Sequence, residues 1–379
     1  MFLRGKRKHV YQHIIEDLKR QIAEGKIRHD EPLPTQIELA RMYNTSEITS
    51  RRALAELANE GIISRTRGKG SFLKQETERT AFNGLQQRAE LSQIYFVYNN
   101  EIASAYHHRF FSDLLTGIKE ECELHGIPFY IWGMDDEFQM PEGDDIGIIL
   151  HPHLKNGNEM PLDLLRQWKE EGKRLVTVHF YYPHLQIPYV IVDNFVGGYL
   201  ATEHLLSLGH ERIGIILTGK SPVEMNQEFA LRLQGYKLAL TQHRVAFDLE
   251  LVCVLDGERE SEQMGAEGLN RLMSLEQRPT AIFATSDSKA IGAIKAAGKR
   301  GLLVPDDVSI IGYDDILVSQ FTIPSLTTIN QNTLLLGKRA AQILLFERKS
   351  EQMRDEIVPQ LIIRSSTGEA KTASPEYST

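Results

Sequence analysis

The chain has 379 residues, 41% of them hydrophobic, with a formal net charge of −8. That length exceeds one compact domain at the usual ~100–200 residues each, and the composition excludes bulk disorder. The charge is split: residues 1–74 carry 15 Lys+Arg against 9 Asp+Glu, and the rest carry 28 against 42. A basic head on an acidic body concentrates affinity for phosphate at one end. Cys122 and Cys253 lie far apart among apolar or helical neighbours, so two buried thiols are expected and no disulfide framework. The basic start MFLRGKRKHV is not followed by an apolar segment, and no apolar run approaches ~18–20 residues. The expectation is a cytoplasmic protein that spans no membrane.

In chain order, Val10, Ile14, Leu18 and Ile22 recur every fourth residue and predict a helix over His9–Glu24, stopped by Gly25. Arg4, Lys6, Arg7 and Lys8 before it are either a phosphate-contacting arm or a solvated terminus. A short second helix opens at Pro34-Thr35, where Thr35 and Glu38 match the S/T-x-x-E capping box. A third runs from Ser46 as N-cap to Glu60, ended by Gly61, with Ile48, Leu54, Leu57 and Ala58 on an apolar stripe and Arg51 and Arg52 off it. Ile62–Thr66 and Ser71–Leu73 flank the turn Arg67-Gly68-Lys69-Gly70, which describes a hairpin. Helices followed by a basic hairpin are a winged helix-turn-helix.

The run LPTQIELARMYNTSEITSRRALAELANEGIISRTRGKGSFL (Leu33–Leu73) resembles a GntR-type winged helix in spacing and residue kind. The resemblance implies that the helix from Ser46 enters the major groove of duplex DNA and that the wing reaches the minor groove. The DNA contacts so implied are Thr35, Ser46, Glu47, Thr49, Ser50, Arg51, Arg52, Arg67, Gly68 and Lys69. Two positions depart from the family: Ile37 and Glu47 stand where it usually carries Arg. Glu47 either accepts a hydrogen bond from a base such as cytosine or stabilises its helix N-terminus. In both cases the operator is expected to differ from the family's usual one.

Residues 75–90, QETERTAFNGLQQRAE, are polar and form the expected linker, with no resemblance to the hinge helix of LacI-type repressors. From Leu91 the pattern becomes apolar runs alternating with amphipathic stretches. Strands are predicted at Ile94–Tyr98, Phe129–Trp132, Ile146–Leu150, Leu175–Val178, Val190–Val192, Ile213–Leu217, Val252–Leu255, Ala281–Phe283 and Ser309–Gly312. Helices are predicted at Phe111–His125, Leu162–Glu171, Phe195–Leu208, Phe229–His243, Glu262–Leu275 and Ser288–Arg300. Apolar strands separated by helices mean parallel sheets covered on both faces, and nine exceed one comfortable sheet. Two doubly wound α/β lobes over residues 91–367 are expected, with 368–379 a flexible tail.

Within this body, VDNFVGGYLATEHLLSLGHERIGII (Val192–Ile216), RLQGYKLAL (Arg232–Leu240), Arg278–Asp315 and Pro324–Leu345 are similar to the LacI/GalR effector domain, itself like periplasmic sugar-binding proteins. A GntR-type head on such a body is the layout of AraR-type arabinose repressors. That resemblance implies Arg232 and Asp314 as hydroxyl-binding residues, Gln331 at a crossover between lobes, and Ser286 where sugar-binding members often carry Asn. In an open α/β sheet ligands sit beyond the carboxyl ends of the strands, where Ser286, Asp287 and Asp314 fall. The weaker N-terminal alignment adds Tyr98, Asn99, Leu150, His151 and His179. Plainer roles stand beside these: Asp193 and Asp287 as helix caps, Arg232 as a surface ion pair, the histidines as loop or core residues, and Phe180-Tyr181-Tyr182 as packing.

The chain is therefore expected to be a dimeric, sugar-responsive repressor with operator DNA and a monosaccharide, arabinose first, as partners and no cofactor or metal. A sugar-binding α/β enzyme and a regulator with a non-sugar effector are the alternatives. Neither a G-x-x-x-x-G-K-[ST] phosphate loop nor a G-x-S-x-G elbow occurs, and the His107-His108 and His151-Pro152-His153 clusters lack a third ligand at metal spacing.

Overall fold

The computed structural model describes residues 10–23, 26–27, 31–59, 62–66, 70–73, 91–99, 109–134, 138–143, 145–152, 160–257, 260–346 and 354–371. The chain divides into two compact units, residues 1–88 and 89–379. The expected linker 75–90 lies outside the described residues.

In the first unit, α1 (Val10–Ala23), β1 (Pro32–Leu33), α2 (Gln36–Met42), α3 (Glu47–Asn59), β2 (Ile63–Thr66) and β3 (Gly70–Leu73) follow in order. The capping box forms: Thr35 N donates to Glu38 Oε2 at 2.8 Å and Glu38 N to Thr35 Oγ1 at 3.3 Å. Ser46 Oγ likewise accepts from Thr49 N at 3.1 Å and starts α3. β2 and β3 pair antiparallel from Ile63↔Leu73 to Thr66↔Gly70, and β1 adds to β3. The helices close over a core of Ile14, Leu18, Leu33, Leu39, Ala53, Leu54, Leu57, Ile63 and Leu73.

The second unit contains two lobes. The N-lobe sheet has the order β14-β8-β7-β6-β4-β5, built from β4 (Gln93–Asn99), β5 (Phe129–Met134), β6 (Ile146–Leu150), β7 (Arg174–Val178), β8 (Tyr189–Val192) and β14 (Arg354–Ile357). The C-lobe sheet has the order β10-β9-β11-β12, from β9 (Ile213–Thr218), β10 (Val252–Leu255), β11 (Ala281–Ala284) and β12 (Ser309–Ile311). All pairings in both sheets are parallel. In each lobe the first strand lies between the second and third, so the winding reverses beside it and leaves a crevice at the strand carboxyl ends. The nine predicted strands are these sheets without β14.

The helices cover the sheets: α4 (Arg109–Leu124) and α5 (Leu162–Glu170) belong to the N-lobe sequence, and α6 (Asn194–Ser207), α7 (Gln227–Gln242), α8 (Glu262–Leu272) and α9 (Asp287–Lys299) to the C-lobe. α6 and α7 pack with backbones almost touching. A Cβ on Gly198 would strike the Arg232 carbonyl, and one on Gly235 the Phe195 carbonyl, so only glycine permits this approach. The chain leaves the N-lobe after β8 and returns through β13 (Thr328–Asn330) and α10 (Thr333–Leu345), which packs on the N-lobe core through Leu336, Ala340 and Leu344. It adds β14 there, then crosses again to β15 (Gln360–Ile362), antiparallel to β13.

Beyond β1 and α10, which were not predicted either, three strands of the body were not expected. β14 reads RDEI, a partly exposed strand at the sheet edge, so a search for apolar runs passes over it. β13 and β15 are three-residue crossovers whose pairing is purely tertiary. The expected flexible tail also starts too early: Gly368 N donates to Ser309 Oγ at 3.0 Å and Ala370 N to Leu208 O at 2.9 Å, so residues 368–371 are docked on the C-lobe. Residues 372–379 lie outside the described ones.

Candidate functional site

Two sites were expected, one on each unit. On the head, Thr35 and Glu47 are exposed, and Ser46, Thr49 and Arg51 are half-buried around the start of α3. Ser46 Oγ and Thr49 Oγ1 also bond each other at 2.8 Å, which fixes the first turn. Ser50 requires correction: it is fully buried against the head core, so its hydroxyl cannot meet a base or phosphate. The Arg52 side chain and the wing residues Arg67, Gly68 and Lys69 lie outside the described residues.

On the body, Thr218 ends β9, Thr285 follows β11 and Tyr313-Asp314 follow β12, and one charged network spans those ends. Arg232, on the second turn of α7, is 1% exposed. Its Nε donates to Asn194 Oδ1 at 2.9 Å, Nη1 to Thr285 O at 2.6 Å and Nη2 to Glu228 Oε2 at 3.2 Å. The guanidinium lies 3.7 Å from the Tyr313 ring centroid, and Tyr313 Oη donates to the same Asn194 oxygen at 3.1 Å. Burial opposes the charge, but Glu228, Tyr313, Asp314 and Glu260 outweigh it and raise the arginine's pKa. Arg232 is thus a buried cation with a partner at each nitrogen and not a surface ion pair.

Asp314 has φ +118°, a strained backbone conformation for an L-residue, held by its N–H to Ile329 O at 2.8 Å. Its Oδ1 accepts from Gln331 Nε2 at 2.6 Å. Burial, and then repulsion by Glu260, push its carboxyl well above the usual range. Gln331 is 3% exposed, and its buried Oε1 has no hydrogen-bond donor among the described residues. The two expected residues Asp314 and Gln331 therefore meet, and Arg232 shares their electrostatic field.

Ser286 does not reach this space. It is fully buried, and its Oγ accepts from Lys289 N at 3.4 Å as the N-cap of α9. That role was expected of Asp287, which is instead buried in the first turn. Asp287 Oδ2 accepts from Ile316 N (2.9 Å) and Ser319 Oγ (2.6 Å), and Oδ1 from Thr328 Oγ1 (2.5 Å). Burial pushes its carboxyl up to about 7, against the pull of these hydrogen bonds. Asp193 is a cap as expected, accepting from Val196 N at 3.0 Å.

The N-lobe residues fall into two groups. Leu150 is a correction: it is fully buried in the core with Val97, Leu165 and Trp168 and offers nothing to a ligand. Phe180 and Tyr182 pack in the same core. Tyr98 is half-buried against the opposite core, and Asn99 is buried at the end of β4. His151, 4% exposed, stacks on His179 at 5.5 Å and meets the edge of Phe111 at 5.2 Å. His179, at φ +75°, reaches across to the C-lobe, its Nε2 2.7 Å from Glu228 Oε2. Beside it the Tyr181 backbone and the Gln227 amide exchange two hydrogen bonds at 3.3 Å.

Sequence reasoning missed Glu228, Glu260 and Lys289. Glu228 stands four residues before Arg232 on one helix, a spacing that marks the pair in hindsight. Lys289 is fully buried, donating to Glu260 Oε1 (2.7 Å) and Thr218 Oγ1 (2.8 Å). Nothing in SDSKA separates it from a solvated helix lysine. Among the described residues there is no group of three or more His, Cys, Asp or Glu that could hold a metal, and no helix long and apolar enough to cross a membrane.

Known proteins repeat this two-part plan. Residues 10–73 match the model for bacterial regulatory proteins of the gntR family, and residues 202–367 that for the periplasmic binding protein-like domain. An HTH-type transcriptional repressor PurR from Mannheimia succiniciproducens is 34% identical over 270 residues, 68% of this chain and 77% of that protein. An arabinose metabolism transcriptional repressor from Halalkalibacterium halodurans is 26% identical over 380 residues, 96% of this chain and 97% of the relative. Among solved structures, a LacI transcriptional regulator from Bacillus cereus subsp. cytotoxis matches at 26% identity and TM-score 0.61, over 74% of this chain and all but 1% of its own. A LacI family regulator from Enterococcus faecium with bound ribose matches at 26% identity and TM-score 0.59, over 74% of this chain and 100% of its own. With a winged helix, two parallel-sheet lobes and a charged crevice between them, the chain belongs to the transcriptional regulators that join a GntR-type DNA-binding head to a LacI/GalR-type, periplasmic-binding-protein-like body.

Proposed function

We propose that this protein is a cytoplasmic, dimeric repressor that binds a two-fold operator and leaves it when a monosaccharide fills the body cleft. The observation that carries the reading is Gln331, a buried amide whose carbonyl lacks a donor while its nitrogen holds Asp314 beside Arg232. A sugar hydroxyl supplies the missing donor and accepts from charged neighbours. L-Arabinose is the first candidate, because the relative matched over 96% of this chain is an arabinose metabolism repressor. Thr35, Ser46, Glu47, Thr49 and Arg51, with Arg52 and the wing Arg67-Gly68-Lys69, are the proposed DNA contacts; Tyr98, Asn99, His151, His179, Arg232, Asp314 and Gln331 are the proposed sugar contacts.

Exposed apolar side chains support a dimer. Leu317, Val318, Phe321 and Ile323 form one exposed stretch on the C-lobe, and Tyr130, Ile131 and Trp132 another on the edge strand β5. Such patches mark contact surfaces, and a two-fold pair would match a two-fold operator. Sugar acts only through preference for one state, about 10⁴-fold to move a population from 1:99 to 99:1.

The test is sedimentation of the full-length protein with palindromic duplexes selected from a random pool. Two chains per duplex are expected, with release by millimolar L-arabinose and a raised melting temperature; ligand at 100 times its Kd adds about 2.7 kcal/mol. Selected duplexes that stay bound whatever monosaccharide is added would refute the reading.

A further inference from the structure

Glu260 and Lys289 belong to no expected site, yet they stand at the same strand ends as Arg232 and Asp314. Lys289 rises from the first turn of α9 and lies fully buried, its Nζ 2.8 Å from Thr218 Oγ1 at the end of β9 and 2.7 Å from Glu260 Oε1. Both cations lie over the Phe229 ring: Lys289 Nζ is 4.3 Å and the Arg232 guanidinium 5.2 Å from its centroid. A buried ammonium is tolerated only against a partner charge, so Lys289 fixes Glu260 in place. Glu260 keeps an exposed side, with 29% of its side chain open. Its second oxygen has no hydrogen-bond donor among the described residues.

Through Lys289, Glu260 is held at the carboxyl end of β9, and Asp314 follows β12 of the same sheet, so both stand at the strand carboxyl ends of the C-lobe. The orphaned Oε1 of Gln331 adds a third acceptor there. The two cations are already matched, Arg232 by Glu228 and Lys289 by Glu260, whereas the hydrogen-bond partner of Asp314 is an amide. The cleft thus offers acceptors in excess and no unmatched cation among the described residues.

We propose, resting on the sugar-effector reading above, that Glu260 is a ligand-selecting carboxylate, positioned by Lys289, which joins Gln331 in accepting hydroxyl hydrogens from an uncharged polyhydroxy effector and repels phosphorylated or acidic sugars. An uncharged sugar brings several O–H donors and no charge. A phosphate or carboxylate brings only acceptors and faces the Glu260 carboxylate and the Gln331 carbonyl across a poorly solvated gap, a penalty on the order of a hundredfold in affinity.

The experiment is calorimetric titration of the full-length protein with L-arabinose, D-ribose, D-ribose 5-phosphate and D-ribonate, repeated on Glu260→Gln and Glu260→Asp. The expected result is binding of an uncharged sugar, and of the charged derivatives at least a hundredfold more weakly. Glu260→Gln keeps the shape and removes the charge, so it weakens the uncharged sugar about tenfold and narrows the preference over the charged forms. Glu260→Asp withdraws the carboxylate and keeps the charge; it weakens the uncharged sugar but preserves the preference. A role in folding alone would lower melting temperature and leave that ratio unmoved. If a charged derivative binds as well as its parent sugar, or if Glu260→Gln leaves the ratio unchanged, the selection proposal is overturned while the sugar-effector reading stands. If no carbohydrate of either kind binds, the sugar-effector reading itself falls, and the proposal with it.

Discussion

The two lobes of the body wind their first strands in the same order, yet they finish the crevice with opposite chemistry. The C-lobe wall is ionic: Arg232, Lys289, Glu228, Glu260 and Asp314 are tied to strand ends and helix starts by short hydrogen bonds. The N-lobe wall is a stack of rings, with His151 against His179, Phe111 and Phe180, and one imidazole reaching Glu228. Buried charges hold their geometry only if every partner is present, which suits the wall that must distinguish hydroxyl positions. Stacked rings tolerate small displacements, which suits the wall that closes over whatever the first has bound.

That asymmetry is open to two measurements, and a third, smaller effect concerns the carboxyl beneath the ionic lobe. Arg232→Ala should cost roughly 3–5 kcal/mol, because it takes the buried cation from Glu228 and the guanidinium hydrogen bonds from Asn194 Oδ1 and the Thr285 carbonyl. Urea unfolding would report it, together with loss of any sugar response. His179→Ala removes a partly exposed partner from the other wall and should cost about 1 kcal/mol or less. Equal losses for the two variants would show that the walls do not differ as described.

The smallest effect concerns pH. The Asp287 carboxyl is pushed up to about 7 by burial, so between about 4 and 7 the folded chain keeps a proton that the unfolded chain releases. Its contribution is therefore full below about 4 and is lost as pH rises through about 7. Melting curves across this window should show wild type losing stability relative to Asp287→Asn as pH rises. Parallel curves would mean that Asp287 titrates at an ordinary carboxylate pKa and that its three donors outweigh its burial.

Legibility followed how local each signal is. The capping box at Thr35 and Glu38, the caps at Ser46 and Asp193, and the nine apolar strands are short-range patterns, and the structure contains each of them. Ser50 was misread because helix position alone does not say which side of α3 faces the core. Ser286 took the cap expected of Asp287 because either could cap α9, and the choice was made by Ser319 and Thr328, which bond Asp287 from more than thirty residues away. Leu150 ends a strand at the crevice, but its side chain turns into the sheet's packed face.

The amino-acid order by itself determined the nine apolar strands, their parallel pairing and the separation of a basic head from an acidic body, because hydrophobic period, caps and turns act over a few residues; the family of each part came from the resemblance of its motif runs. Only the tertiary structure decided which charges are buried and with whom. Glu260 meets Lys289 across twenty-nine positions and Arg232 meets Thr285 across fifty-three, and such pairings exist only once the helices have packed over the strand ends.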